Sequence, residues 1–230
     1  MRVRPNNPDF KFDPASTPQP KVKSLIHNVH ILDASGSMEG PKYNNAVVGI
    51  KLELEELKKN KNADFTQTLI EFCGYGNLEH FFMTPMEKVG LWKPRGADGG
   101  TPLYITVGTV LTRLRSQVKP GEKVLVKIFT DGGDTEWGRG GWDIKSVKRL
   151  IDSLESEGFT IAFVGTDGDV ANIVNNMGVK SSNTLSHDNS AAGVKKAFDI
   201  TRSATMTYSK SVVDGLDVKE NFYTKSVETN

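Results

Sequence analysis

Residues 31–38, with the sequence ILDASGSM, end an apolar strand in a loop that carries one Asp and two Ser. Asp33, Ser35 and Ser37 offer one carboxylate and two hydroxyls, which are hard oxygen donors. This is too little negative charge for a tight cage built by protein alone, but it suits a small divalent cation that keeps some of its waters, as Mg²⁺ does. Gly36 lets the backbone turn tightly so that the hydroxyls converge. The alternative is a polar turn that only caps the next helix.

Two later segments carry the chemistry to complete such a site. Residues 99–104, GGTPLY, place Thr101 just before a helix that we predict to begin at Pro102. Residues 128–132, IFTDG, place Asp131 at the end of a second apolar strand. Thr101 is also a candidate N-cap residue, and that role is compatible with metal binding.

Strand patterns alternate with helix patterns along most of the chain. We predict strands at 25–32, 64–73, 78–84, 123–130, 159–165 and 183–186, and helices at 39–60, 102–116, between Asp143 and Gly158, at 170–177 and at 190–204. A short turn joins the second and third strands, which predicts an antiparallel hairpin. The alternation indicates an α/β fold with a doubly wound, mostly parallel sheet and helices on both faces. In such sheets the binding crevice lies at the carboxyl ends of the strands, where Asp33 and Asp131 fall.

Together the three segments resemble the metal-ion-dependent adhesion site (MIDAS) of von Willebrand factor A domains, over roughly residues 25–204. The resemblance implies Mg²⁺ or Mn²⁺ held by Asp33, Ser35, Ser37, Thr101 and Asp131, partly through water. Whether Asp131 binds the metal directly or through water stays open. One departure concerns the start of the helix after Tyr104, where related domains often carry an acidic residue and this chain has Ile105 and Thr106.

Composition narrows the class of partner and the compartment. The formal net charge is +1, which argues against a general binder of nucleic acid or membrane surfaces. Cys73 is the single cysteine, so the chain cannot form an internal disulfide. No apolar run is long enough to span a bilayer, and the first residues lack the apolar stretch of a signal peptide. We expect a cytoplasmic protein, or a component of a virion or other large particle.

The ends of the chain differ from its middle. Residues 1–23 read as a Pro-rich arm, because five prolines there disfavour helix and central strand alike. Residues 24–205 hold every strongly periodic element and define the predicted domain. Residues 206–230 read as a polar C-terminal segment.

The three tryptophans, Trp92, Trp137 and Trp142, all fall in predicted loops around the site. Trp is enriched among the residues that dominate binding energy at protein interfaces, so these rings are candidate partner contacts, Trp137 first. The alternative is that they pin long loops onto the domain.

The sequence therefore predicts a non-catalytic binding module, in which an open metal position accepts an Asp or Glu carboxylate from a partner protein. The main alternative is a structural component whose tails contact neighbouring subunits of a large assembly. A metal-dependent hydrolase ranks third, because the sequence offers no convincing general base near the metal residues.

Overall fold

The computed structural model describes residues 23–136 and 138–223. Within them, six strands form one sheet in the order β3-β2-β1-β4-β5-β6. The strands are β1 (Leu25–Asp33), β2 (Asp64–Cys73), β3 (Gly76–Pro85), β4 (Lys123–Phe129), β5 (Phe159–Thr166) and β6 (Thr184–His187). Edge strand β3 runs antiparallel to β2, and all other neighbouring pairs are parallel. This confirms the predicted doubly wound sheet with one antiparallel edge strand.

Helices cover both faces of the sheet. They are α1 (Pro41–Lys59), α2 (Leu103–Gln117), α3 (Ile144–Ser156), the short α4 (Asp167–Asn172) and α5 (Ala191–Val213). One core cluster joins α1 and α5 to the sheet, and a second joins α2 and α3 to it. Because β4 is covered on both sides, six of its seven residues are buried, which explains its long apolar run. No helix among the described residues has the length and apolarity needed to cross a bilayer.

Of the helix ends that differ from the sequence prediction, two affect the site and the C-terminal boundary of the domain. Pro102 is the N-cap of α2, not its first helical residue. Helix α5 runs on to Val213, nine residues past the predicted end at Ala204. The buried face of this extension includes Thr205, Ser209 and Ser211, so its apolar periodicity is weak although it packs against the core.

The chain continues to pack after α5. Val218, Phe222 and Tyr223 are buried in the same core cluster as α1. The Phe222 N–H donates to Asn183 Oδ1 at 2.9 Å, which ties this segment to the start of β6. Residues 206–223 are therefore packed against the domain. The predicted arm, apart from Lys23, lies outside the described residues, as do residues 224–230.

A buried polar network crosses the face of the sheet under α1 and α5. Lys127 Nζ on β4 donates to Glu53 of α1 and to Thr205 Oγ1 of α5, the latter at 3.2 Å. His30 Nε2 lies 3.2 Å from Glu53 Oε1, and Asn28 Nδ2 donates to the same oxygen at 3.1 Å. Burial opposes ionisation of Glu53, but the Lys127 ammonium and the His30 ring outweigh it and lower its pKa to about 2. These buried charges are stable because they compensate one another.

Candidate functional site

Asp33, the last residue of β1, is fully buried and has a donor on each carboxylate oxygen. The Ser35 backbone N–H donates to Oδ1 at 2.7 Å, and Thr130 Oγ1 donates to Oδ2 at 2.5 Å. Burial raises the pKa of Asp33 to about 6, while the hydrogen bonds from Thr130 and Ser35 favour its charged form. The carboxylate is thus held in one orientation at the carboxyl edge of the sheet.

A chain of hydroxyls links this loop to the end of β4. Ser35 Oγ and Ser37 Oγ lie 3.1 Å apart, and Ser37 Oγ donates to Asp131 Oδ1 at 2.6 Å. Ser35 and Asp131 are buried, whereas Ser37 is exposed. The structure therefore brings both predicted acids and both predicted serines to one side of the sheet edge.

Backbone hydrogen bonds attach the Thr101 segment to the same edge. The Gly36 N–H donates to Gly99 O at 2.9 Å, and the Asp98 N–H donates to Ala34 O at 2.8 Å. On its other side, the Thr101 N–H donates to Thr135 Oγ1 at 2.8 Å, and the Thr135 N–H donates to Thr101 O at 3.0 Å. The loop after β1, the loop before α2 and the loop after β4 thus form a closed ring of contacts, although they lie far apart in sequence.

One glycine allows this close approach. A Cβ on Gly74, directly after β2, would lie 2.7 Å from the backbone nitrogen of Gly100, closer than real side chains come. Any larger residue at 74 would push the Thr101 segment away from the sheet edge.

Asp134 supplies an acidic contact at the start of α2, where the sequence has no acidic residue at positions 105 and 106. Its Oδ2 accepts the Tyr104 N–H at 2.7 Å, and its Oδ1 accepts the Glu136 N–H at 2.8 Å. A carboxylate at a helix N-terminus satisfies a free N–H and complements the helix dipole. The acidic contact expected near Ile105 and Thr106 therefore comes from a different loop.

Lys42 is a further charged residue at the site. It lies in the first turn of α1, and its Nζ donates to Asp131 Oδ2 and, at 3.0 Å, to Asn189 Oδ1. The Asp131 side chain is fully buried and the Lys42 side chain is 18% exposed, so the pair is largely shielded from water. The Lys42 ammonium therefore neutralises Asp131 at this edge of the sheet.

The donor chemistry fits a small hard cation. The side chains of Ser35, Ser37 and Asp131 are linked by contacts, and Asp33 and Thr101 lie in the same group of loops. All five carry oxygen donors of the kind that Mg²⁺ accepts together with water. In the described parts of the chain, no group of three or more His, Cys, Asp or Glu side chains is placed to hold a metal. A metal here therefore depends on the hydroxyl donors and on bound water.

The structure describes two of the three tryptophans that the sequence singled out. Trp92 is only 6% exposed, and its ring packs beside His80. Trp142 is half-buried, with its ring against Gly108 of α2. Both rings hold loops on the domain, and Trp137 lies outside the described residues.

Tyr75, which the sequence did not single out, is an aromatic residue bordering the site. Its side chain is 74% exposed and its ring lies against Gly99, which belongs to the ring of loop contacts. Its position in the turn between β2 and β3 gave no signal, because an exposed Tyr in a turn is ordinary.

Solved structures with a similar fold agree with this architecture. The PilB minor pilin of Streptococcus sanguinis is 12% identical with a TM-score of 0.57, over 86% of this chain and 63% of that one. The vWF domain of the type V pili tip protein Mfa5 of Porphyromonas gingivalis is 12% identical with a TM-score of 0.55. The match covers 86% of this chain and 98% of that one. Proximal thread matrix protein 1 of the mussel byssus, with a zinc-occupied MIDAS motif, is 15% identical with a TM-score of 0.52, over 77% and 44%.

These similarities establish the fold, since the identities are low. The chain has the fold of a von Willebrand A domain. It spans less than two thirds of the pilin and of the mussel protein. No family model matches the sequence, and no curated protein matches it.

Proposed function

We propose that this chain is a non-catalytic protein-binding module whose ligand is a carboxylate bound through a divalent metal. Asp33, Ser35, Ser37, Thr101 and Asp131 hold Mg²⁺ or Mn²⁺, in part through water. A partner Asp or Glu displaces one water and gains a strong contact between opposite charges at a partly shielded edge.

The observation that carries this proposal is the ring of contacts among the three loops. Each loop is held to the next by side-chain or backbone hydrogen bonds, which supports loops that are ordered before any metal arrives. Ordered loops reduce the entropic cost of binding a cation. Among the contacts of residues 23–136 and 138–223, we find no base positioned to activate a metal-bound water, so we favour binding over hydrolysis.

Metal binding is tested by the thermal stability of the full chain with and without Mn²⁺. A ligand that binds only the native state stabilises it by about 1–3 kcal/mol when its concentration is well above Kd. We expect this gain in the unchanged protein and its loss in Asp33→Asn, which preserves the shape of the side chain. Asp214→Asn, at the C-cap of α5, removes the same charge from an exposed position and should keep the gain. Equal gains in all three proteins contradict the site.

Partner binding is tested by capture from native extract with immobilised full chain. Proteins retained in Mg²⁺ should be lost in excess chelator and absent with Asp33→Asn. Capture that is unchanged in chelator and in the variant places the interface elsewhere.

A second candidate function is a subunit of a large assembly. It is supported by the pilus proteins among the similar structures and by exposed apolar surface at Tyr75 and Leu91, which are 74% and 105% exposed. Mass photometry with and without Mg²⁺ separates a free module from a self-assembling subunit. A cytoplasmic location, or one within a virion or other particle, stays a prediction from the sequence.

A further inference from the structure

Lys42 stands in an electrostatically unfavourable place for a cation. It is in the first turn of α1, which contains no acidic residue. Helix N-termini carry partial positive charge, so a lysine there is destabilised unless another group compensates. Asp131 supplies that compensation through its ion pair with the Lys42 ammonium.

The ion pair with Lys42 occupies Asp131, which is also a ligand in the proposed metal site. Asp131 accepts Ser37 Oγ on Oδ1 and Lys42 Nζ on Oδ2, so both carboxylate oxygens have partners. A divalent cation near Asp131, bound directly or through water, would lie within a few ångströms of the ammonium. At such separations in a partly shielded site, repulsion between like charges is strong.

Asn189 offers the ammonium a second, neutral partner. Its Oδ1 accepts from Lys42 Nζ at 3.0 Å, and it belongs to the loop between β6 and α5. The same loop region is tied to α1 by Asn45 Nδ2, which donates to Ala191 O at 2.7 Å. Lys42 can therefore give up Asp131 without becoming a buried charge with no partner.

We propose that Lys42 is a built-in competitor of the divalent cation. Its ammonium neutralises Asp131 when the metal is absent and yields when the metal binds, so that Lys42 lowers metal affinity. The partner's carboxylate adds a negative charge beside the released ammonium, and metal and acidic partner then strengthen each other's binding. This inference rests on the proposed function, because it concerns the same site.

The test measures Mn²⁺ affinity of the full chain by titration calorimetry, with the bound ion confirmed by electron paramagnetic resonance. Lys42→Met keeps most of the side-chain stem and removes the charge, and we expect Mn²⁺ to bind about tenfold more tightly. Lys51→Met is the matched control, since it removes the same charge from an exposed position about 13 Å further along the same helix. Its affinity should stay within about twofold of the unchanged protein, because exposed charges at that distance are screened.

A second readout separates competition from a merely structural role. In chelator, Lys42→Met should melt at a lower temperature than the unchanged protein, because Asp131 loses its countercharge. In saturating Mn²⁺ the deficit should disappear or reverse. An equal deficit in both conditions, or unchanged or weaker Mn²⁺ binding by Lys42→Met, overturns the inference and leaves the proposed function standing. If neither the unchanged protein nor Lys42→Met binds Mn²⁺, the inference and the proposed function are both overturned. Binding by Lys42→Met alone supports the competitor role.

Discussion

Thr130 donates a 2.5 Å hydrogen bond to Asp33 Oδ2 across the ends of two neighbouring strands. The preceding residues, Phe129 and Leu32, are paired in the register of β4 and β1, so the sheet itself sets this contact. Thr130 is only 3% exposed, and water competes little for the bond. Asp33 is thereby oriented by a residue that need not touch the metal.

The contact predicts that Thr130→Val weakens metal binding by about tenfold or more, the usual cost of removing a partner that orients a ligand. The same change should lower the free energy of unfolding by about 1–3 kcal/mol, because a buried carboxylate oxygen loses its donor. Thr130→Ser keeps the hydroxyl and should restore most of the affinity. Calorimetric Mn²⁺ titration of the two variants checks this, and equal affinities contradict an orienting role.

The exposed ring of Tyr75 predicts a partner contact beside the proposed metal site. If the proposed partner binds over the site, Tyr75→Ala should weaken that binding by about 1–3 kcal/mol and leave Mn²⁺ affinity nearly unchanged. Trp137, the first candidate from the sequence, stays a prediction. Trp137→Ala should likewise weaken partner binding and leave Mn²⁺ affinity nearly unchanged. Trp92→Ala differs, because removing a buried ring should lower stability by about 3–5 kcal/mol. Surface plasmon resonance with the captured partner, alongside thermal melts, distinguishes the cases.

The C-terminal packing predicts where the chain can be shortened. A variant ending at residue 205 loses the buried side chains of Tyr208, Val212, Phe222 and Tyr223. Each contributes about 1.5–3 kcal/mol of burial, and their sum rivals the whole stability of a typical domain. We expect no cooperative unfolding transition from this variant, whereas one ending at residue 223 keeps every described contact and should unfold cooperatively. Urea denaturation followed by circular dichroism decides, and a cooperative transition in the shorter variant contradicts the role of these residues.

The buried network predicts that protonation of His30 lowers stability in mild acid. Burial, with the Lys127 ammonium nearby, lowers the pKa of His30 below its ordinary value of about 6.5, although Glu53 acts in the opposite direction. The unfolded chain therefore binds a proton at His30 more readily than the folded one, so the contribution of His30 to stability falls as pH drops below about 6.5 towards its folded-state pKa. Asp33, whose pKa is raised to about 6, acts in the opposite direction, so the effect of His30 is read from a comparison with a variant that lacks it.

His30→Gln removes this titration and keeps a polar group beside Gln67, which hydrogen-bonds the His30 ring. Urea midpoints of the two proteins, measured from pH 7.5 down to 5, should fall relative to the variant in the unchanged protein. Parallel curves contradict the prediction.

The predicted metal residues drew attention in the sequence because they follow apolar strands or precede a helix. Strand ends in a parallel sheet meet at one edge, so Asp33 and Asp131 had to lie near each other once the sheet was predicted. The coordinating role of these residues stays a prediction. The sequence did not predict the roles of Lys42, Thr130 and Asp134. Those roles arise from contacts with residues that are 89, 97 and 30 positions away.

Buried polar residues account for the other differences between the sequence prediction and the structure. The pattern of β4 predicted an apolar strand, yet Lys127 lies fully buried at its centre, neutralised by Glu53 of α1. In α5, Thr205 is buried while its hydroxyl bonds Thr201 O at 2.9 Å, so the helix continues where apolar periodicity fades. A polar residue reads as exposed until its partner is known.

By itself the sequence determined the alternation of strands and helices, because side-chain periodicity is a local property. The parallel sheet and the edge at which its acids gather follow, because a helical crossover between two strands makes them parallel. Tertiary structure decided which cation faces Asp131, which hydroxyl orients Asp33 and how far the core extends past α5. Those outcomes depend on pairing between distant residues, and only the folded chain brings such residues within hydrogen-bonding distance.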